Sequence, residues 1–277
     1  MTATLCGRKR APGPPTRHPR WGGLPGGKSP KATASAQRGG ECQKEPHRAK
    51  LGEDNTSVTK RLIIAIDGPS GAGKGTVARA VAERLGYRHI DTGAMYRALA
   101  WMATHEGLDL ADEDAVAALG ERATFDVQDG RIEIDGHDVA AAIRTPEMDK
   151  ASATLARHPA VRRALVARQR SYGDGGGVVM EGRDIGTVVF PRADVKIYLD
   201  ASPEERARRR AADPAHTSSK NVRLSEVATA LAERDKSDST RAASPLAVAP
   251  DATVVDTTGM PVDRVIETVL ALVNAKR

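Results

Sequence analysis

Sulfur and aromatic side chains are scarce in this sequence of 277 residues. There are two cysteines, two tryptophans and two phenylalanines, and aromatic residues make up 3% of the chain. Both cysteines, Cys6 and Cys42, lie near the start, so residues 61–277 have neither a disulfide framework nor a cysteine metal site available to them. No apolar run is long enough to cross a membrane. No apolar h-region follows the basic start, which argues against a secretory signal. These absences lead us to expect a cytoplasmic, monomeric protein that is not membrane-bound. The guanine-reading pattern N-K-x-D is also absent, which speaks against a GTPase-type switch.

The first stretch differs in composition from the rest. Residues 1–60 hold seven of the 16 prolines and nine of the 26 glycines, without helix or strand period. Such a segment buries too little apolar surface to offset its conformational entropy, so residues 1–59 are expected to be a disordered basic tail. Residues 1–60 carry 12 Lys/Arg against 4 Asp/Glu, which leaves 30 against 32 for the remainder. The basic balance of the chain therefore belongs to the tail, for which three readings are open: a transit peptide, an upstream translation start, or a nucleic-acid-binding arm. The folded part, near neutral and poor in aromatics, lacks the footprint of a nucleic-acid binder.

The strongest feature is Gly68-Pro69-Ser70-Gly71-Ala72-Gly73-Lys74-Gly75-Thr76. An apolar run, Leu62 to Ile66, precedes it and ends in Asp67; a helix-period stretch, Val77 to Leu85, follows. Strand, glycine-rich turn and helix are the context a phosphate-binding loop requires. The glycines let backbone N–H groups turn inward around phosphate oxygens, the helix N-terminus adds partial positive charge, and Lys74 adds a full one. The pattern departs from G-x-x-x-x-G-K-S/T, because Gly75 takes the hydroxyl position and Thr76 comes one residue later. No direct metal ligand is assigned for that reason.

Beyond the loop, apolar runs alternate with helical patterns, which implies an α/β domain over residues 60–277 built on a parallel sheet. Tyr87 to Ile90 is a short strand that leads to Asp91-Thr92-Gly93, where Asp91 or Thr92 can cap the next helix. Asp112 to Arg122 has the pattern of a surface helix. Thr124 to Gln128 and Arg131 to Asp135 alternate polar and apolar residues about Asp129-Gly130, a hairpin signal that interrupts the strand–helix rhythm. Helices follow from Thr145-Pro146 and from Ala160 to Tyr172, the second carrying Arg162, Arg163, Arg168 and Arg170 on what a sequence alone suggests is a solvated face. Gly177 to Met180 reads as a buried strand that delivers Glu181-Gly182-Arg183-Asp184, suited either to ligand contact or to a salt bridge within the turn. After the strand Val195 to Asp200, Ser202-Pro203-Glu204-Glu205 makes a capping box. The arginine-rich helix behind it, the polar segment from Asp213 to Asn221 and a second helix from Leu224 have the makings of a lid that closes over phosphates. Arg234, Asp238 and Arg241 share one face of that second helix. Thr253 to Asp256 and Pro261 to Val273 close the chain as a strand and an amphipathic helix.

Five stretches in order resemble the bacterial cytidylate kinases: the G-P-S-G-A-G-K-G-T loop, D-T-G-A-M-Y-R, E-G-R-D-I-G-T-V-V-F-P, the arginine helix after L-D-A-S-P-E-E-R, and R-D-K-S-D-S-T-R-A-A-S-P-L. The resemblance covers residues 61–277. It implies a P-loop NTPase fold with a five-stranded parallel sheet flanked by helices, a lid (about 206–235) and a nucleoside monophosphate-binding subdomain (about 92–172) carrying a small β-insert. The implied reaction moves the γ-phosphoryl group of ATP, with Mg2+, to CMP or dCMP. By the same resemblance, Gly68 to Thr76 bind ATP phosphates, and Lys74, Arg183 and Arg241 act in catalysis. Arg97 and Arg183 hold the acceptor phosphate; Thr92, Arg162 and Asp184 read the cytosine; Arg234, Asp238 and Arg241 contact the sugar. Relatives place a base-contacting serine nine residues before the arginine matching Arg162; here that residue is Ala153, between Ser152 and Thr154.

Overall fold

The computed structural model describes residues 60–128, 130–213 and 223–277. The tail, Asp129 of the hairpin turn and the polar segment after Asp213, residues 214–222, lie outside the described residues.

Elements are numbered in chain order. The chain opens with β1 (Ile63–Asp67), α1 (Lys74–Leu85), β2 (Arg88–Asp91), α2 (Thr92–His105) and α3 (Glu113–Arg122). Three short strands follow, β3 (Phe125–Gln128), β4 (Arg131–Ile134) and β5 (His137–Asp138), then α4 (Pro146–Leu155) and α5 (Pro159–Ser171). The second half holds β6 (Val178–Gly182), a π-helical turn (Ile185–Val189), β7 (Val195–Asp200), α6 (Pro203–Ala212), α7 (Leu224–Thr240), β8 (Thr253–Asp256) and α8 (Val262–Asn274). The main sheet has five strands in the order β2-β6-β1-β7-β8, every pair parallel. The central strands β1 and β6 are covered on both faces and are largely apolar, and the period of two decides which core each residue enters. Ala65, Val178 and Met180 join α2, α3 and α5 on one face, whereas Ile64, Ile66 and Val179 join α1 and α8 on the other.

Local signals placed most helix starts. Asp91 accepts from the Ala94 N–H, Asp112 from Ala115 and Thr145 from Met148, each a side-chain oxygen meeting an orphan donor of the first turn. Four expectations change. Ser202 accepts from the Glu205 N–H, but Glu205 turns to Arg208 and Arg209, and the Ser202 N–H donates to Thr258, so the capping box is half formed. The hairpin gains β5 and becomes a three-stranded antiparallel sheet. Val262, aligned with the apolar stripe of α8, is exposed at the first helical position, where the chain has not yet reached the core. The arginines of α5 are not one solvated face: Arg162 is buried, while Arg168 and Arg170 donate to main-chain carbonyls of Gly120, Glu121, Val188 and Val189.

α6 and α7 pack on one another through a small cluster of Ala207, Val227 and Leu231, apart from both main cores. Polar contacts therefore carry much of their attachment, reaching Ser70 after β1, Arg183 after β6, Thr257 after β8 and Asp149 of α4.

Candidate active site

β1 ends at Asp67, and the glycine loop turns over the sheet edge into α1. Gly68 is there for a close approach: a Cβ on it would lie 2.0 Å from the Leu199 carbonyl oxygen, and its φ of 147° suits glycine. Lys74, the first residue of α1, is buried and donates from Nζ to the Pro69 carbonyl at 2.7 Å. Burial, followed by the nearby Arg183 charge, pulls its pKa down to about 7. Asp67 receives the Ile185 and Gly186 N–H groups at 2.8 and 2.7 Å, and burial pushes its pKa up to about 6 against those bonds.

The departure at Gly75 has a physical counterpart. A Cβ there would lie 3.2 Å from Oε1 of Glu181, so the room a hydroxyl side chain would take is bordered by a carboxylate. Glu181 is itself buried and paired with His89 Nε2 at 3.0 Å.

Across from the loop, Arg183 and Asp184 at the end of β6 do not pair with each other. Arg183 donates from Nη2 to Ser70 Oγ at 2.7 Å and from Nε to Asp238 Oδ2 at 2.9 Å, joining the glycine loop to α7. Asp184 pairs with Arg162 of α5 and lies 3.6 Å from Arg241. α7 ends at Thr240, so Arg241 occupies the cap position, still 3.6 Å from Asp238. Thr92 donates to the Glu181 carbonyl at 2.7 Å, and Arg97 to Asp91 at 3.3 Å. Arg234 donates to Asp149 at 3.0 Å.

One cavity of about 1010 Å³ is lined by Ser70 to Thr76 together with Thr92, Arg97, Arg162, Arg183, Asp184, Arg234, Asp238 and Arg241. Gly68 and Pro69 support this wall from behind and do not line it. Ala153 lines the cavity with Ser152, whose buried hydroxyl donates to the Asp149 carbonyl at 2.9 Å. Polar atoms of Tyr96, Arg97, Arg162, Arg234 and Arg241, all on this cavity, are buried without a hydrogen-bond partner among the described residues. Buried donors normally find partners, so this cluster marks a site built for a polar, anionic guest.

Sequence reasoning missed several residues around this cavity. Asp235 accepts from the Ser70 N–H at 3.0 Å and pairs with Arg206, which also donates to the Ser70 carbonyl at 3.1 Å. Its signal was present, since Asp235 sits inside the R-D-x-x-D-x-x-R stretch. Arg209 donates to the Thr257 hydroxyl and carbonyl at 2.8 and 2.6 Å, and the arginine-rich composition of α6 does not say which arginine does so. Glu181 likewise opens the E-G-R-D stretch, whereas Asp149 had no signal.

The sequence profile described as Cytidylate kinase matches residues 64–275. A cytidylate kinase of Solibacter usitatus is 48% identical over 218 residues, covering 78% of this chain and 94% of its own length. One from Pelotomaculum thermopropionicum is 49% identical, covering 77% and 96%, and one from Geobacillus kaustophilus is 46% identical, covering 79% and 99%. A phosphate loop facing a cluster of arginines and paired carboxylates, matched over nearly the whole folded part, means that this chain belongs to the cytidylate kinase family.

Proposed function

We propose that this protein transfers the γ-phosphoryl group of ATP to CMP or dCMP, giving ADP and CDP or dCDP, as a cytoplasmic enzyme of pyrimidine nucleotide metabolism. One observation carries the reading: Arg183 bridges Ser70 of the donor loop and Asp238 of α7, so the donor and acceptor walls meet at one guanidinium.

Phosphoryl transfer asks the protein for alignment and positive charge rather than covalent chemistry. The loop Gly68 to Thr76 would hold the ATP phosphates through Lys74 and through its main-chain N–H groups, apart from Pro69, which has none, and Ser70, whose N–H meets Asp235. Lys74 would leave the Pro69 carbonyl for a phosphate oxygen, regaining charge beside the anion. Arg97 and Arg183 would hold the acceptor phosphate. Asp184, oriented by Arg162, would accept the exocyclic amine of cytosine, with Thr92 beside it. Arg234, Asp238 and Arg241 would take the sugar hydroxyls, Arg241 also reaching the transferred group. Of the two hydroxyl residues flanking Ala153, Ser152 is the one that lines the cavity, beside the position where relatives carry a serine.

Members of an ATP-using kinase family generally need Mg2+. Among the described residues no group of three or more His, Cys, Asp or Glu side chains could hold a metal by itself. A phosphate-bound magnesium that keeps its waters fits that chemistry, with the Glu181 carboxylate the nearest oxygen ligand to the loop at Gly75. When bound, the ion neutralises charge on the β- and γ-phosphates.

The test is a panel of CMP, dCMP, UMP, AMP, dTMP and shikimate with magnesium ATP in a coupled ADP-release assay. CMP and dCMP should lead the panel; no nucleoside diphosphate from either of them would refute the reading.

A further inference from the structure

Asp149 stands in the first turn of α4, four residues after the Thr145 cap. Its carboxylate gathers guanidinium groups from three other helices. Oδ1 accepts from Arg234 of α7 at 3.0 Å, Oδ2 pairs with Arg210 of α6, and Arg97 of α2 lies 3.9 Å from Oδ1. The helices on the acceptor side, α2 and α4, and the arms α6 and α7 thus meet at one residue. The apolar cluster that joins α6 to α7 extends to neither main core, so such polar contacts set where the arms rest. Burial alone would raise the Asp149 carboxyl, but Arg234, Arg210 and Arg97 together hold it below the ordinary range, and it stays ionised.

Arg97, Arg210 and Arg234 bring three guanidinium groups to Asp149, with Asp91 also accepting from Arg97, and a nucleoside monophosphate dianion is the kind of guest such a cluster attracts. Arg97 and Arg234 each keep a buried Nε without a partner, while Asp149 occupies their Nη groups at 3.9 and 3.0 Å. On Arg234 the Asp149 carboxylate holds one Nη, on Arg97 the two Nη groups are shared between Asp149 and Asp91, and on both the Nε is left for a guest.

We propose that Asp149 is a positioning residue for the acceptor: it draws Arg210 and Arg234 of the two arms against α4 and orients them, with Arg97, for the acceptor nucleotide. The proposal rests on the phosphotransferase reading above. Its side-chain partners among the described residues, Arg97, Arg210 and Arg234, lie outside the glycine loop, so Asp149 should act on the acceptor rather than on the donor. Without its charge, three cations face one another in a partly buried space and the arms move apart.

Asp149→Asn keeps the size and removes the charge. Its KM for CMP should rise about tenfold, the loss of one charge-assisted contact, while the KM for ATP stays within about twofold. Asp149→Glu, which keeps the charge, should recover most of the loss. Spin labels at exposed Lys150 of α4 and Glu233 of α7, in a Cys6→Ser/Cys42→Ser background, read the arm directly by pulsed electron resonance. The distance distribution without nucleotide should broaden and lengthen in Asp149→Asn. An unchanged or lowered KM for CMP would overturn the proposal, a lowered one meaning that the carboxylate competes with the acceptor. So would parallel losses for ATP and CMP with a lowered melting temperature, which a merely structural role produces. If wild-type protein phosphorylates no CMP, the functional reading fails, and the label distances still decide whether Asp149 holds the arms.

Discussion

At pH 8 the wild-type chain should take up close to one proton for each ATP it binds, and Lys74→Met should take up about one fewer. Lys74 is 6% exposed, and among the described residues its ammonium group has only the Pro69 carbonyl at 2.7 Å as a hydrogen-bond partner. Burial first and Arg183 second bring its pKa from 10.5 to about 7, outweighing Glu181, Asp67 and Asp235. One pH unit above that value, about one-tenth of the lysine carries charge. A triphosphate seated beside it restores the charged form, so uptake attributable to Lys74 approaches ~0.9 proton at pH 8 and falls to ~0.1 at pH 6, where the group is already protonated. Calorimetric titrations of ATP in buffers of different ionisation enthalpy measure this number, and the variant subtracts the contribution of the nucleotide's own phosphates. The same shift makes a stability statement. Because the folded pKa lies below the unfolded one, the unfolded chain binds more protons between about pH 7 and 10.5, and the contribution of Lys74 to stability rises with pH across that window. The full shift bounds the effect at roughly 5 kcal/mol, so Lys74→Met should be more stable near pH 7 while losing at least ~10² in kcat. Equal proton uptake by the two proteins at pH 8, or uptake in the wild type that does not change between pH 6 and 8, would refute the reasoning.

Three further outcomes are expected. Arg162→Met leaves Asp184 buried with Arg241 at 3.6 Å as its remaining cation, and should cost about 3 kcal/mol in urea unfolding at pH 7; a loss below ~1 kcal/mol would mean that water reaches the carboxylate. Asp184→Ala should reduce the preference for CMP over AMP by at least ~10-fold with little change in the KM for ATP, and an unaltered preference measured in the acceptor panel would remove Asp184 from base reading. Gly68→Ala drives a Cβ to 2.0 Å from the Leu199 carbonyl at a φ of 147°; we expect a loss of ~3 kcal/mol or more by thermal unfolding, and a native melting temperature would show that β7 gives way easily.

Features decided within a few residues were legible in the sequence. The caps at Asp91, Thr145 and Ser202, the proline starts of α4 and α6, and the pairing of β3 with β4 all follow from neighbours along the chain. The two-residue strand β5 was not legible, since it exists only because β4 offers it an edge. Glu205 could be placed in a capping box on spacing alone, yet two arginines on the next turn compete for it and win. Arg162, Arg168 and Arg170 look alike in a basic helix; their fates differ because one faces Asp184 and the others face orphan carbonyls at helix and turn ends.

The α/β class, the phosphate loop with its displaced hydroxyl and the family could all be read along the chain, because each is written in contiguous motifs whose geometry is local. Which carboxylate meets which guanidinium emerged with the folded arrangement. Arg162 and Asp184 are 22 residues apart, Arg183 and Asp238 are 55 apart, and Arg234 and Asp149 are 85 apart. A charge carries no label for its partner, and pairing over such separations is set by where helices and strands come to rest on a common core.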